Sequence, residues 1–182
     1  WIIPSTAEKP IDARSTRYNR TEEKAVKPFL KWAGGKGQLI KEIEQYYPFR
    51  NSKITKYAEP FVGGGAVLFE LQPKRAIIND YNEELINVYQ TVRDHTEDLI
   101  AELEKHKENN SEEYYYEIRS LDRTYAYDNL SDVQRAARII YLNKTCYNGL
   151  YRVNSSGQFN SPYGRYKNPN IVNAVTIRAM AN

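Results

Sequence analysis

"FVGGGAVLFE", residues 61–70, sets three consecutive glycines between two apolar runs, and the role of those glycines decides the fold. Upstream, "ITKYAEPF" reads as a short strand. Downstream, "AVLFELQ" reads as a helix broken by Pro73, and "RAIIND" as a compact apolar strand that ends on Asp80. Strand, glycine turn, helix, strand and acid in that order open a parallel α/β sheet of Rossmann type. In such a sheet Gly63 and Gly65 leave the backbone bare, so a ligand can approach the helix N-terminus, and an acid about 20 residues on can hold ribose hydroxyls. Asp80 lies 17 residues beyond Gly63. The full G-x-G-x-x-G pattern is not met, because position 68 is Leu. Two uses therefore stay open: a nucleoside-type ligand site, or a turn that serves only the fold.

Working outward, "PFLKWAGGKGQLIKEIEQYYP" predicts a glycine turn and an amphipathic helix with Leu39, Ile40, Ile43, Tyr46 and Tyr47 inward, stopped by Pro48. It is no nucleotide P-loop, since Lys36 is followed by Gly37 rather than Ser or Thr. Residues 1–26 are polar and aperiodic, and read as a leader or tag without chemistry of its own. Apolar positions from Leu85 to Leu103 recur at helical spacing, with a break near Asp94 to Thr96. "SEEYYYEIRSLD" and "SDVQRAARIIYLNK" predict two more helices, each opened by a Ser cap. Adjacent tyrosines on a helix face different ways, so Tyr114, Tyr115 and Tyr116 are expected to pack separately rather than form a platform.

The single Cys146 and the isolated His95 and His106 leave no disulfide framework and no metal site. The sequence shows neither a membrane-length apolar run nor the features of a signal peptide, and the expected location is the cytoplasm. Because it opens on Trp1 and closes on "IVNAVTIRAMAN", the chain is expected to be part of a longer protein. The net charge of +3 is segregated: residues 1–78 hold 14 Lys/Arg against 8 Asp/Glu, residues 79–122 hold 4 against 13, and residues 131–182 hold 7 against 1. Two basic ends around an acidic middle can build a surface for a polyanion, or can simply solvate the chain.

From Tyr147 the texture changes to "YNGLYRVNSSGQFNSPYGRYKNPN", a hairpin-rich stretch with "NSSGQ" as its tip. Residues 144–170 hold Lys144, Arg152, Arg165 and Lys167 and no acid, interleaved with tyrosines and Phe159. Such cations neutralise phosphates, Arg and Asn read base edges in pairs of hydrogen bonds, and a ring can fill the gap left by a flipped base. The plainer alternative is a tyrosine-rich hairpin kept soluble by its cations. DNA and RNA reward the same residues.

"PFLKWAGGKGQLI", "EPFVGGGAVLFE", "INDYNEELINVYQ" and "QRAARIIYLNKTCYNGLYRVNSSGQFNSPYGRYKNP" stand in the order and register of a known family. From about Lys27 to Ile171 the chain resembles Dam-type (D12 class, alpha group) DNA adenine N6-methyltransferases, most of all the GATC-modifying members of restriction-modification systems. The resemblance implies an S-adenosylmethionine-dependent methyltransferase fold, Rossmann-like, with a helical and β-hairpin target-recognition insert. It implies S-adenosylmethionine held by Trp32, Lys36, Phe61, Gly63, Gly65 and Asp80, and double-stranded DNA bound by Lys31, Tyr147, Asn148, Arg152, Asn154, Asn160, Pro162, Arg165 and Lys167. In that reading Tyr147 and Asn148 fill or flank the space of the flipped adenine, Arg152 and Pro162 meet base edges, and Arg165 binds phosphate. Position 161 is Ser where the family usually has Val.

The family's catalytic Asp-Pro-Pro-Tyr signature is absent, and "NSPY" at 160–163, with one proline and inside the recognition block, does not replace it. No catalytic residue is therefore assigned. The expected organisation is a leader at 1–26, the first part of a cofactor domain at 27–93, a DNA-recognition region at 94–170, and the return to the catalytic domain at 171–182. The catalytic motif is expected in a missing C-terminal part or a second chain. The alternative is a non-catalytic DNA-binding fragment or subunit.

Overall fold

A computed structural model describes residues 2–4, 28–32, 34–47 and 56–181. They fall into two compact units, the first of the described residues up to 28 and from 34 to 81, the second of those from 29 to 32 and from 82 to 181. The first carries a small sheet of β1 (Ile2–Pro4), β2 (Tyr57–Glu59) and β3 (Arg75–Ile78) in the order β1-β3-β2. β2 and β3 run parallel, with Tyr57 opposite Ala76 and Glu59 opposite Ile78. Helix α2 (Ala66–Leu71) connects them and buries Val67, Leu68 and Phe69. This is the expected order of strand, glycine turn, helix, strand and acid, in a mixed α/β fold with a parallel strand pair.

Two expectations for this unit change. The leader was given no structure, yet Ile2–Pro4 pairs antiparallel with β3, Ile2 opposite Ile77 and Pro4 opposite Arg75. A proline is tolerated there because the strand lies at the sheet edge and the missing donor costs no central ladder bond. The rest of the leader lies outside the described residues. The amphipathic helix expected after the glycines is three short pieces: a 3-10 turn at Lys36–Leu39, α1 (Ile40–Ile43) and a 3-10 turn at Glu44–Tyr46. Leu39 and Tyr46, expected inward, are 49% and 79% exposed. The 3-10 turns rotate the chain by about 120° per residue instead of 100°, so an i, i+3, i+4 pattern cannot hold one face through them.

The second unit is helical. α3 (Glu83–Asp94) and α4 (Thr96–Glu108) meet at His95, inside the expected break. α3 buries Leu85, Val88, Tyr89 and Val92, one stripe at helical spacing. α5 (Glu112–Ser120) and α6 (Asp132–Thr145) start on the predicted serine caps. The side chain of Ser111 accepts from the Tyr114 N–H, and Ser131 forms a reciprocal capping box with Gln134. α6 is the axis of this unit and packs against α3, α4 and α5, while α7 (Ala174–Ala181) lies on α3 and α4. Ala136 and Ala137 are fully buried and let neighbouring helices come close, while Ile139, Ile140 and Leu142 fill the layer below. Each such aliphatic side chain removed from water contributes about 1.5–3 kcal/mol.

The three successive tyrosines do face three ways. Tyr115 is fully buried, Tyr116 lies under the Arg119 guanidinium at 4.8 Å, and the Tyr114 hydroxyl is 2.8 Å from His106 Nδ1. Among the described residues no helix is long and apolar enough to cross a membrane.

Candidate functional site

In the first unit the glycine turn is built where β2 ends. Gly63 and Gly65 have φ of 50° and 75°, in the left-handed region that a side chain disfavours, and Gly65 caps α2. The Gly65 N–H donates to the Val62 carbonyl at 2.9 Å, and the Val62 N–H to Asn79 at 2.9 Å, which ties the turn to the end of β3. Asp80, at the end of the same strand, accepts the Gly63 N–H on Oδ2 at 2.9 Å. The acid is therefore brought to the glycines, as its spacing predicts. Lys36 donates from Nζ to the Phe61 carbonyl at 2.7 Å and to Glu59 Oε1 at 3.0 Å. The ring of Phe61 is 71% exposed. Five of the six proposed cofactor residues, Lys36, Phe61, Gly63, Gly65 and Asp80, thus sit around one turn.

Glu59 escaped the sequence reading. It is buried at the end of β2, where it also accepts the Tyr57 hydroxyl at 2.8 Å, and burial, then that bond, holds the Tyr57 phenol well above its ordinary pKa. Its signal was an acid at the end of an apolar strand directly before the glycines.

The sixth residue, Trp32, belongs to the second unit, where its ring stacks on Tyr151 at 4.5 Å with 22° between planes. Beside it, Lys31 is clipped by one side chain. Asn143 accepts the Lys31 N–H at 3.0 Å and donates to the Lys31 carbonyl at 2.7 Å and the Gly149 carbonyl at 3.0 Å. Gly149, at φ of 63°, has no room for a Cβ: it would lie 2.5 Å from Lys31 Cδ and 3.3 Å from the Asn143 carbonyl oxygen. Lys144 donates to the Phe29 carbonyl, and burial, then the charge of Lys31, lower its pKa. Two lysines are thus close enough to feel each other's charge.

The hairpin follows. Val153 pairs with Phe159, and the Asn160 N–H donates to the Arg152 carbonyl at 2.9 Å. Its tip lies where expected, with Gly157 at φ of 76°. Asn154 is spent on that tip: its Oδ1 accepts the Ser156 and Gln158 N–H groups, and its Nδ2 donates to Gln158. Tyr147, Asn148, Arg152, Pro162, Arg165 and Lys167 are exposed, and Asn160 is half-buried. Asn148 and Arg165 hold left-handed φ of 57° and 53° without being glycine. Backbone strain of this kind gathers where a chain is shaped for a ligand. Arg165 meets Glu112 at 3.0 Å in an exposed pair, and Arg152 donates from Nε to Asn160 Oδ1 at 2.8 Å. Ser161, the departure from the family pattern, points inward and donates to the Leu150 carbonyl.

A basic, aromatic hairpin and a strand-end glycine turn coincide with one family model, that of the D12 class N6 adenine-specific DNA methyltransferases, matched over residues 32–182. The chain belongs to this family. The D12-class chain is 51% identical over 156 residues to Type II methyltransferase M1.LlaDCHI of Lactococcus lactis subsp. cremoris, covering 86% of this chain and 54% of that relative. It is 47% identical over 166 residues to Type II methyltransferase M.MjaIII of Methanocaldococcus jannaschii, covering 84% and 57%. Against the DNA adenine methylase of Serratia marcescens the identity is 40% over 149 residues, covering 80% and 52%. The chain spans about half the length of these curated relatives.

Behind the hairpin, this D12-class chain carries a side-chain scaffold that no local sequence pattern announced. Asp122 accepts the Phe159 N–H at 2.8 Å, and Arg123 donates to the Phe159 carbonyl at 2.7 Å. Tyr115 and Arg119 both donate to the Ser161 carbonyl, at 2.8 and 3.2 Å. Arg138, whose side chain is 3% exposed, backs Asp122 at 2.9 Å and donates to the carbonyls of Ile118 and Arg119, each at 2.8 Å. Cys146 is buried beside them, its thiol pushed up to about 11 by burial, and so it is no nucleophile.

Proposed function

We propose that the chain is the first part of a Rossmann-like DNA adenine N6-methyltransferase that takes its methyl group from S-adenosylmethionine and flips an adenine out of duplex DNA, with GATC as the target. The observation that carries this reading is the Gly63–Asp80 closure beneath the exposed Phe61. It offers a bare backbone, a carboxylate and an aromatic face around one turn. Lys36, Phe61, Gly63, Gly65 and Asp80 would hold the cofactor there, Asp80 at its ribose hydroxyls, and Trp32 is the further candidate. The cofactor supplies an activated methyl on a sulfonium. The chain's own part is to hold and orient it.

The hairpin supplies the rest of the reading. Tyr147 and Asn148 stand exposed to fill or flank the flipped base. Arg152 and Pro162 meet base edges, Asn160 steadies Arg152, and Lys31, Arg165 and Lys167 neutralise phosphates. Asn154 acts by shaping the tip. Methyl transfer needs the hydrogen-bond acceptors of an Asp-Pro-Pro-Tyr segment at the adenine amino group, which residues 1–182 do not contain. A continuation of the chain or a second chain supplies it. The second reading is a DNA-binding fragment or subunit without catalysis of its own.

Calorimetry of S-adenosylmethionine binding tests the proposal. Asp80→Ala should weaken binding about tenfold or more, the loss of hydrogen bonds to a charged acceptor. Unchanged affinity in that variant would sink the cofactor assignment. Duplex binding with a steep salt dependence and no cofactor affinity in the native protein would favour the second reading.

A further inference from the structure

The hairpin's second arm is gripped at alternate residues. Phe159 and Ser161 are buried, and both their carbonyls, with the Phe159 N–H, are taken by side chains from α5 and the turn that follows it. Asp122 and Arg123 act as a pair, one accepting from the Phe159 N–H and the other donating to its carbonyl, just as a neighbouring β-strand would. The two side chains are also joined to each other as an ion pair. Asn160 lies between the two gripped residues, and in an extended chain its side chain leaves on the opposite face. That is the face on which Asn160 Oδ1 receives Arg152 Nε at 2.8 Å, with a second contact of 3.4 Å from the Arg152 guanidinium to the Asn160 carbonyl.

We propose that Asp122 and Arg123 are positioning residues for base recognition. By holding the backbone of Phe159 they set the direction of Asn160 and, through it, the aim of Arg152, so they govern which base pair the hairpin prefers rather than how strongly it holds DNA. The inference rests on the reading of the hairpin as the DNA-reading element. An arginine reads a base edge through two parallel hydrogen bonds, which a small rotation spoils, whereas a phosphate contact survives it.

The test is selection of binding sites by the intact protein from a pool of randomised duplexes, with affinity for unselected DNA measured beside it. Arg152→Ala should flatten the preference at one base pair. Arg123→Gln should flatten the same base pair about tenfold, while affinity for unselected DNA and the melting temperature stay close to wild type. Arg123→Gln leaves the Asp122–Arg138 pair in place, so it remains informative where a change at the buried Asp122 fails to fold. The double variant Arg123→Gln with Arg152→Ala should discriminate no worse than Arg152→Ala alone, because one residue acts through the other. Full preference retained in Arg123→Gln overturns the inference. So does an effect that adds in the double variant, or that appears at base pairs Arg152 does not read. If the wild-type protein selects no sequence, the hairpin reading itself fails and takes this inference with it.

Discussion

The glycine turn and the hairpin that follows α6 are both loops, but they are held in opposite ways. The turn is made from its own backbone: Gly63 and Gly65 in left-handed geometry, closed by Val62, Asn79 and Asp80 within 18 residues. The hairpin is held from outside, by Asp122, Arg123, Arg138 and Asn143 on other elements. A loop of the first kind is robust to changes in its surroundings and intolerant of any side chain at its bends. A loop of the second kind tolerates change along its own exposed face and fails when a distant buried charge is removed.

The largest expected effect tests the outside support. Arg138→Ala leaves Asp122 with Arg123 as an ionic partner but removes the buried guanidinium and strips the Ile118 and Arg119 carbonyls of its donors, and should cost about 4 kcal/mol through those charge-assisted hydrogen bonds. Denaturant unfolding measures it, and exchange at the Phe159 amide should rise with it. A loss below about 1 kcal/mol would mean that the hairpin stands alone and the contrast fails.

Next in size is a pH effect on the same helical unit. His106 is buried between Tyr114 and the face of Tyr141, and burial, with the charges of Lys105 and Arg138, lowers its pKa to about 4 against the pull of Glu102. Between pH 6.5 and 4 the unfolded chain binds a proton that the folded one refuses, so stability is complete above pH 6.5 and falls as the pH drops toward 4. The loss approaches about 3 kcal/mol. Thermal unfolding across that range should show it, and His106→Gln should flatten the profile. A slope unchanged by His106→Gln would assign the titration elsewhere.

The smallest effect belongs to the self-built loop. Gly65→Ala forces a Cβ into left-handed geometry at a cost of about 1–2 kcal/mol, read by the same denaturant melts. S-adenosylmethionine affinity should fall with it, while the base preference of the hairpin stays intact. If Gly65→Ala instead shifts that preference, the two loops are coupled and the comparison must be redrawn.

The same contrast explains what could be read from the chain. The break at His95, the caps Ser111 and Ser131 and the Asn154–Gln158 tip are local, set by neighbours a few residues away, while the glycine turn and Asp80, 17 residues apart, show through the strand–turn–helix–strand order between them; chemistry of this kind shows in a sequence. Leu39 and Tyr46 were misplaced because a period of 3.6 was assumed through what are 3-10 turns. The Ile2–Pro4 strand was missed because three residues are too short for a periodicity. Asp122, Arg123 and Asn143 left no local pattern, since Asp122 meets Phe159 across 37 residues and Asn143 meets Lys31 across 112. One sign went unused: Asn143 is a polar residue at the end of the apolar run "RIIYLN", and an amide buried there marks backbone that needs a partner.

Asn143 also gives the molecule a timetable. The strap at residues 29–33 is synthesised before the glycine turn but belongs with the helices made long after it. Its clip emerges 112 residues later. At roughly 5–20 residues per second on the ribosome, that is a wait of about ten seconds, during which Phe29 and Leu30, buried in the finished protein, have no core to enter. The chain must be born with two apolar residues exposed, and whatever shields nascent chains has this strap to guard.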